Sequence, residues 1–175
     1  MILATHIIFV LVLIKVFNGN FLFVLPLALL SHYFLDVFCH WEYDLKSMEN
    51  RYEREKRRFS KNILFGFEFL SDKDFMKDLF KVGSDFFFGW GIFVFVVHYF
   101  SDYNLTLSVF SAFLAVLPDL LQALFYTFKL KFLQIHQNFH NIFHSRCDEK
   151  TQRKLSLFVL QIALNVVFII IFVKI

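Results

Sequence analysis

The sequence predicts an all-α integral membrane protein, a single helical bundle of about five transmembrane helices with interfacial amphipathic helices beside them. Three observations lead to that class. Of 175 residues, 58% are hydrophobic and only 5 are Gly, and the mean hydropathy is +0.57. Several apolar runs reach the length of about 17 to 25 residues that crosses a bilayer, which a soluble domain of this size would not normally carry. The formal net charge is only +3, but most Lys and Arg fall in two connecting segments, so charge is segregated along the chain.

Taken in order, 2–17 is a short apolar run containing Thr5, His6 and Lys15, closed by the turn Asn18-Gly19-Asn20. It lacks a basic start and a small-residue cleavage site, so it reads as a retained first span. The second span covers 21–41, with Pro26 in its first turns, where a missing amide is best tolerated. Residues 44–62 then mix Lys46, Arg51, Arg54, Lys56, Arg57, Arg58 and Lys61 with three glutamates, and must lie in water or among headgroups. By the positive-inside rule this segment is cytoplasmic, which places the N-terminus there as well. Ser71 with Asp74 resembles a capping box opening an interfacial helix with Phe75, Met76, Leu79 and Phe80 on one side. Spans at 85–100 and 105–128 follow, the latter broken at Leu117-Pro118-Asp119. A second basic segment, 129–154, shares the cytoplasmic side, and 155–173 is a fifth span with no functional feature of its own. Cys39 and Cys147 have no framework spacing and read as reduced structural thiols.

The informative stretch is Ser31 to Asp44, where His32, Asp36, His40 and Asp44 recur every fourth residue. A helix turns that spacing into one polar stripe, and ionisable groups in an apolar span point to function. His136, His140 and His144 repeat the spacing in the second basic segment, while His6, Asp85 and Asp119 fall at the same membrane depth if the helices alternate in direction. Imidazoles and carboxylates without thiolates suit Zn²⁺, Mn²⁺ or Fe²⁺, one ion or two. His40 and His136 are candidate ligands from spacing alone; Asp85, at a helix start facing the same side, is the candidate general base or water-orienting carboxylate. His98 belongs to the other end of its span.

At these residues the chain resembles a known family. Thr5-His6, Ser31-His32-Tyr33-Phe34-Leu35-Asp36, Leu117-Pro118-Asp119 and His140 to His144-Ser145 are similar to the short motifs of the bacterial inner-membrane metal-dependent hydrolases. The His-x-x-x-Asp element is also similar to one in zinc-dependent phospholipase C and P1-type nucleases. The resemblance implies His6, His32, Asp36, Asp119, His140 and His144 as metal ligands. Leu121 departs from the family pattern, which tends to repeat an Asp after Pro-Asp.

The expected protein is therefore a multi-pass cytoplasmic-membrane hydrolase, zinc-dependent in type, acting on a phosphoester such as a phospholipid headgroup from the cytoplasmic side. Two other readings use the same ligands: a divalent-metal transporter or sensor, and a membrane di-iron oxygenase or desaturase. No G-x-S-x-G elbow, Walker loop or dinucleotide fingerprint is present. The basic segments are expected to face the lipid bilayer's anionic headgroups, with no nucleic-acid partner.

Overall fold

The computed structural model describes residues 2–46, 74–128, 130, 132–143, 151 and 153–174. Its helices are α1 (Leu3–Val16), α2 (Phe21–Asp36), α3 (Phe75–Phe100), α4 (Leu105–Phe128), α5 (Leu133–Phe143) and α6 (Leu155–Lys174). Among the described residues there is no strand. All-helical architecture is as expected, but the number of spans is not. Among the described residues three helices, α3, α4 and α6, are long and apolar enough to cross a membrane. α1 and α2, at 14 and 16 residues, rise only about 21 and 24 Å against a hydrocarbon core of about 30 Å.

α1 is short because it serves as the core. It packs against α2, α3, α4 and α6, and Ile7, Ile8, Val10, Leu11 and Ile14 are all buried on it. A helix apolar on every side belongs either in lipid or at the centre of a bundle, and hydropathy alone cannot separate the two. Here the surrounding helices take the lipid-facing positions, with exposed Phe87, Phe88 and Phe95 on α3 and Val159, Val166 and Ile170 on α6.

One turn sets the first hairpin. Asn18 and Gly19 both take positive φ, 47° and 68°, and the Asn20 side chain caps α2 by accepting from the Leu22 amide at 3.2 Å. Gly19 also has no room for a side chain, since an added Cβ would stand 2.6 Å from the Tyr103 ring. The direction of each helix follows from its contacts. Ala4 lies against Gly89 and Gly19 against Tyr103, so α1 and α3 run parallel. Phe9 meets Phe168 at 5.1 Å and Lys15 lies over Phe172, which makes α6 parallel to them. α2 and α4 return in the opposite sense. The starts of α1, α3 and α6 therefore share one end of the bundle with the finishes of α2 and α4.

Three expectations are corrected. The second span does not reach residue 41: α2 ends at Asp36, and 38–45 continue without helix. The amphipathic helix expected ahead of the third span is continuous with it, giving the 26-residue α3, although Ser71 itself lies outside the described residues. Cys39 is disulfide-bonded, not a reduced thiol. α6, in addition, is not featureless, because Gln161 and Asn165, one turn apart, are buried within it.

Candidate metal centre

The last turn of α2 supplies His32 and Asp36. Their four-residue spacing stacks them on one face, and His32 Nε2 lies 3.2 Å from Asp36 Oδ2. Both are almost completely buried, at 0% and 2% exposure. α4 supplies the next two contributions. His32 Nδ1 donates to the Ala115 carbonyl at 2.8 Å, and Asp119 Oδ1 stands 3.4 Å from His32 Nε2. Pro118 cannot donate back to the Leu114 carbonyl, and its ring crowds that turn; the carbonyl His32 uses is the adjacent one. The bond to Ala115 places the imidazole proton on Nδ1 and leaves the Nε2 lone pair facing the carboxylates, the tautomer and orientation a metal-binding histidine needs.

α5 completes the group with His140. Its Nε2 is 3.2 Å from His32 Nε2, 3.3 Å from Asp36 Oδ2 and 3.8 Å from Asp119 Oδ1. The four ligand atoms of His32, Asp36, Asp119 and His140 all lie within 4.8 Å of one another. Ligands at about 2.0 to 2.1 Å from a tetrahedral ion stand about 3.3 to 3.4 Å apart. The observed separations scatter around that edge length, and they are longer than the charge-assisted hydrogen bonds such pairs would otherwise form. Charge gives the same answer. Two carboxylates enclosed with two neutral imidazoles carry −2, which is costly in an apolar surrounding, and one divalent cation cancels it.

The remaining candidates separate by position. His6 reaches the group through Asp36, with Nε2 3.4 Å from Oδ1, the oxygen turned away from His32 and His140. It is fully buried and stacks on the His32 ring at 4.2 Å, but it is not one of the four mutually close ligands. His136 stands one turn before His140, its ring 6.0 Å away, and binds the Tyr33 hydroxyl through Nε2 at 3.2 Å. Burial, then the neighbouring His140 and His32, lowers its pKa below the ordinary imidazole value.

His40 does not join the group. Because α2 ends at Asp36, the four-residue rule no longer applies beyond it, and the His40 ring donates to Phe38 O at 2.6 Å and meets Glu42 at 2.8 Å. Asp44 pairs with Arg153 at 3.3 Å, for the same reason. Asp85 accepts from the Ala4 amide at 3.1 Å, so it caps the start of α1, and its carboxylate, after burial, raises the pKa of Tyr43. Asp85 is not among the four mutually close ligands. His144 lies outside the described residues. His98 lines a groove on the outer face of α3 with Trp90 and Tyr99.

Two participants carried no sequence signal as ligand partners. The Ala115 carbonyl is backbone, and only Pro118 three residues on marks that turn as irregular. Tyr33 packs edge-on against Phe139 at 5.1 Å and close to Phe143, tying α2 to α5; its place next to His32 was the one available hint. No family model, curated protein or solved structure matches the chain.

Proposed function

We propose that the chain is a membrane-embedded metal-dependent hydrolase that cleaves a phosphoester, with one divalent cation, zinc in the first place, held by His32, Asp36, Asp119 and His140. The observation that carries this reading is the grouping of four ligand atoms within 4.8 Å of one another, five of their six separations being 3.2 to 3.8 Å. A divalent ion held there would make a bound water more acidic and polarise a phosphoryl oxygen. The chain's own residues do the rest. Asp119 is the one ligand with an appreciably exposed side chain, 25%, and it forms the long 3.8 Å edge to His140. Water and substrate approach along that edge, and Asp119 is placed to take the proton of the attacking water. His6 and the Ala115 carbonyl hold Asp36 and His32 in position.

Hydrolysis of a chromogenic phosphodiester by protein in nanodiscs tests this. Activity is expected to vanish with chelator, return with Zn²⁺, and fall about a hundredfold or more in Asp119→Asn. Zinc binding without turnover, together with zinc flux into proteoliposomes, would replace the hydrolase by a transporter. An iron-dependent optical spectrum would replace it by an oxygenase.

We place the N-terminus and the metal group at the cytoplasmic face of the inner membrane, supported by the Lys and Arg of 44–62 and 129–154. The Cys39 disulfide favours the opposite orientation, since disulfides persist in oxidising compartments. Reporter fusions at the C-terminus decide between them, with an external C-terminus expected.

A further inference from the structure

α5 divides its surface into three sectors. At about 100° per residue, Leu133, Gln137 and His140 share one sector, and these are the buried residues that face the bundle. Gln134, Asn138 and Asn141 occupy a second, where the Gln134 amide donates to Asn138 at 2.9 Å. Phe132, just ahead of the helix, with Ile135, Phe139 and Ile142 falls within about 80° in a third. All four are exposed, Ile135 at 77% and Ile142 at 67%. An exposed apolar stripe beside an exposed amide stripe is the pattern of a helix lying at a boundary between hydrocarbon and water.

Two independent features say what covers the stripe. α4 carries a candidate span, Leu105–Phe125, and only residues 129–132 separate its end from α5. Such a connection reaches at most about 18 Å, so α5 cannot leave the membrane surface. Two of those four residues are Lys129 and Lys131, suited to phosphate headgroups. On its other flank the stripe runs through Phe139, in ring contact with Tyr33, toward the exposed Leu30, Phe34 and Phe38 of α2 and the residues beyond it. Aromatic contacts of Tyr33 with Phe139 and Phe143 thus tie α5 to α2 at the edge of the stripe.

We infer that α5 is seated in one leaflet with Phe132, Ile135, Phe139 and Ile142 in the acyl region, so that the metal group opens at the headgroup boundary. Combined with the proposed hydrolysis, on which this last step rests, the substrate is a phosphoester carried by a lipid, presented from the bilayer.

The test places Trp at three positions, Ile135→Trp, Ile142→Trp and Asn138→Trp, in nanodiscs of phosphatidylcholine and phosphatidylglycerol brominated near the top of the acyl chain. Wild-type protein supplies the Trp41 and Trp90 background. The added emission at 135 and 142 is expected to drop about twofold or more while that at 138 does not. Equal quenching at all three, or protection of 135 and 142 together with crosslinking between copies, overturns the placement. A second arm compares cleavage of the lipid with cleavage of its de-acylated, water-soluble counterpart. Preference for the lipid is expected; equal cleavage overturns the substrate class and leaves the placement standing. Expected quenching with no cleavage of either compound overturns the hydrolase reading alone.

Discussion

His32 is the residue on which the site turns, because both ring nitrogens are committed. Nδ1 is held by the Ala115 carbonyl at 2.8 Å, which leaves Nε2 as the only ligand atom. A metal bound there competes with protons. Both imidazoles must shed a proton to bind the ion, so affinity should weaken on acidification. Calorimetric zinc titrations at falling pH check the sign, and binding that strengthens on acidification would contradict it. His40→Ala, by contrast, should leave zinc affinity unchanged, since its ring partners are Phe38 and Glu42. At this scale the sequence was readable only as far as the helix ran. His32 and Asp36 lie inside α2 and obeyed the four-residue rule; His40 and Asp44 lie beyond its end and did not. His136 kept helical register with His140, yet its Nε2 is engaged by the Tyr33 hydroxyl at 3.2 Å.

Among the elements, α1 decides the architecture, and it approaches α3 closely. An added Cβ at Gly89 would come within 2.6 Å of the Ala4 backbone, whereas nothing lies within 4 Å at Gly83. Gly89→Leu should force α1 from α3, strain the Asp85 to Ala4 bond, and cost about 1 to 3 kcal/mol or more. Gly83→Ala should stabilise by up to about 1 kcal/mol, because it meets no neighbour and favours the helix. Thermal unfolding in detergent, followed by helical circular dichroism, should move in opposite directions for the two. Helix positions were legible from apolar runs and the Asn18-Gly19-Asn20 break, but roles were not. Hydropathy scores the central α1 and the lipid-facing α6 alike, with 14 and 20 apolar-rich residues. Nor does it register that Gln161 and Asn165 are turned inward.

For the whole molecule, alternating helix directions bring residues from four separate stretches to one end. His6, Asp36, Asp119 and His140 are far apart in sequence, yet each approaches the same centre within 3.8 Å of a partner. The segment after α2 ties that end together: Trp41 packs on Phe158 of α6, Lys81 of α3 donates to the Asp44 carbonyl, and Asp44 pairs with Arg153. The clustering was inferable because alternating helix directions alone bring these residues to one end, whichever side of the membrane that end faces. The most direct test is equilibrium zinc content and affinity of detergent-purified protein, wild type beside Asp36→Ala and His140→Ala, with circular dichroism confirming the fold of each. The account predicts close to one ion per wild-type chain and a loss of affinity of about a hundredfold or more in both variants, since even the outer partners of such sites cost ten- to hundredfold. Folded wild-type protein that holds no ion, or variants that bind as tightly as wild type, would contradict it.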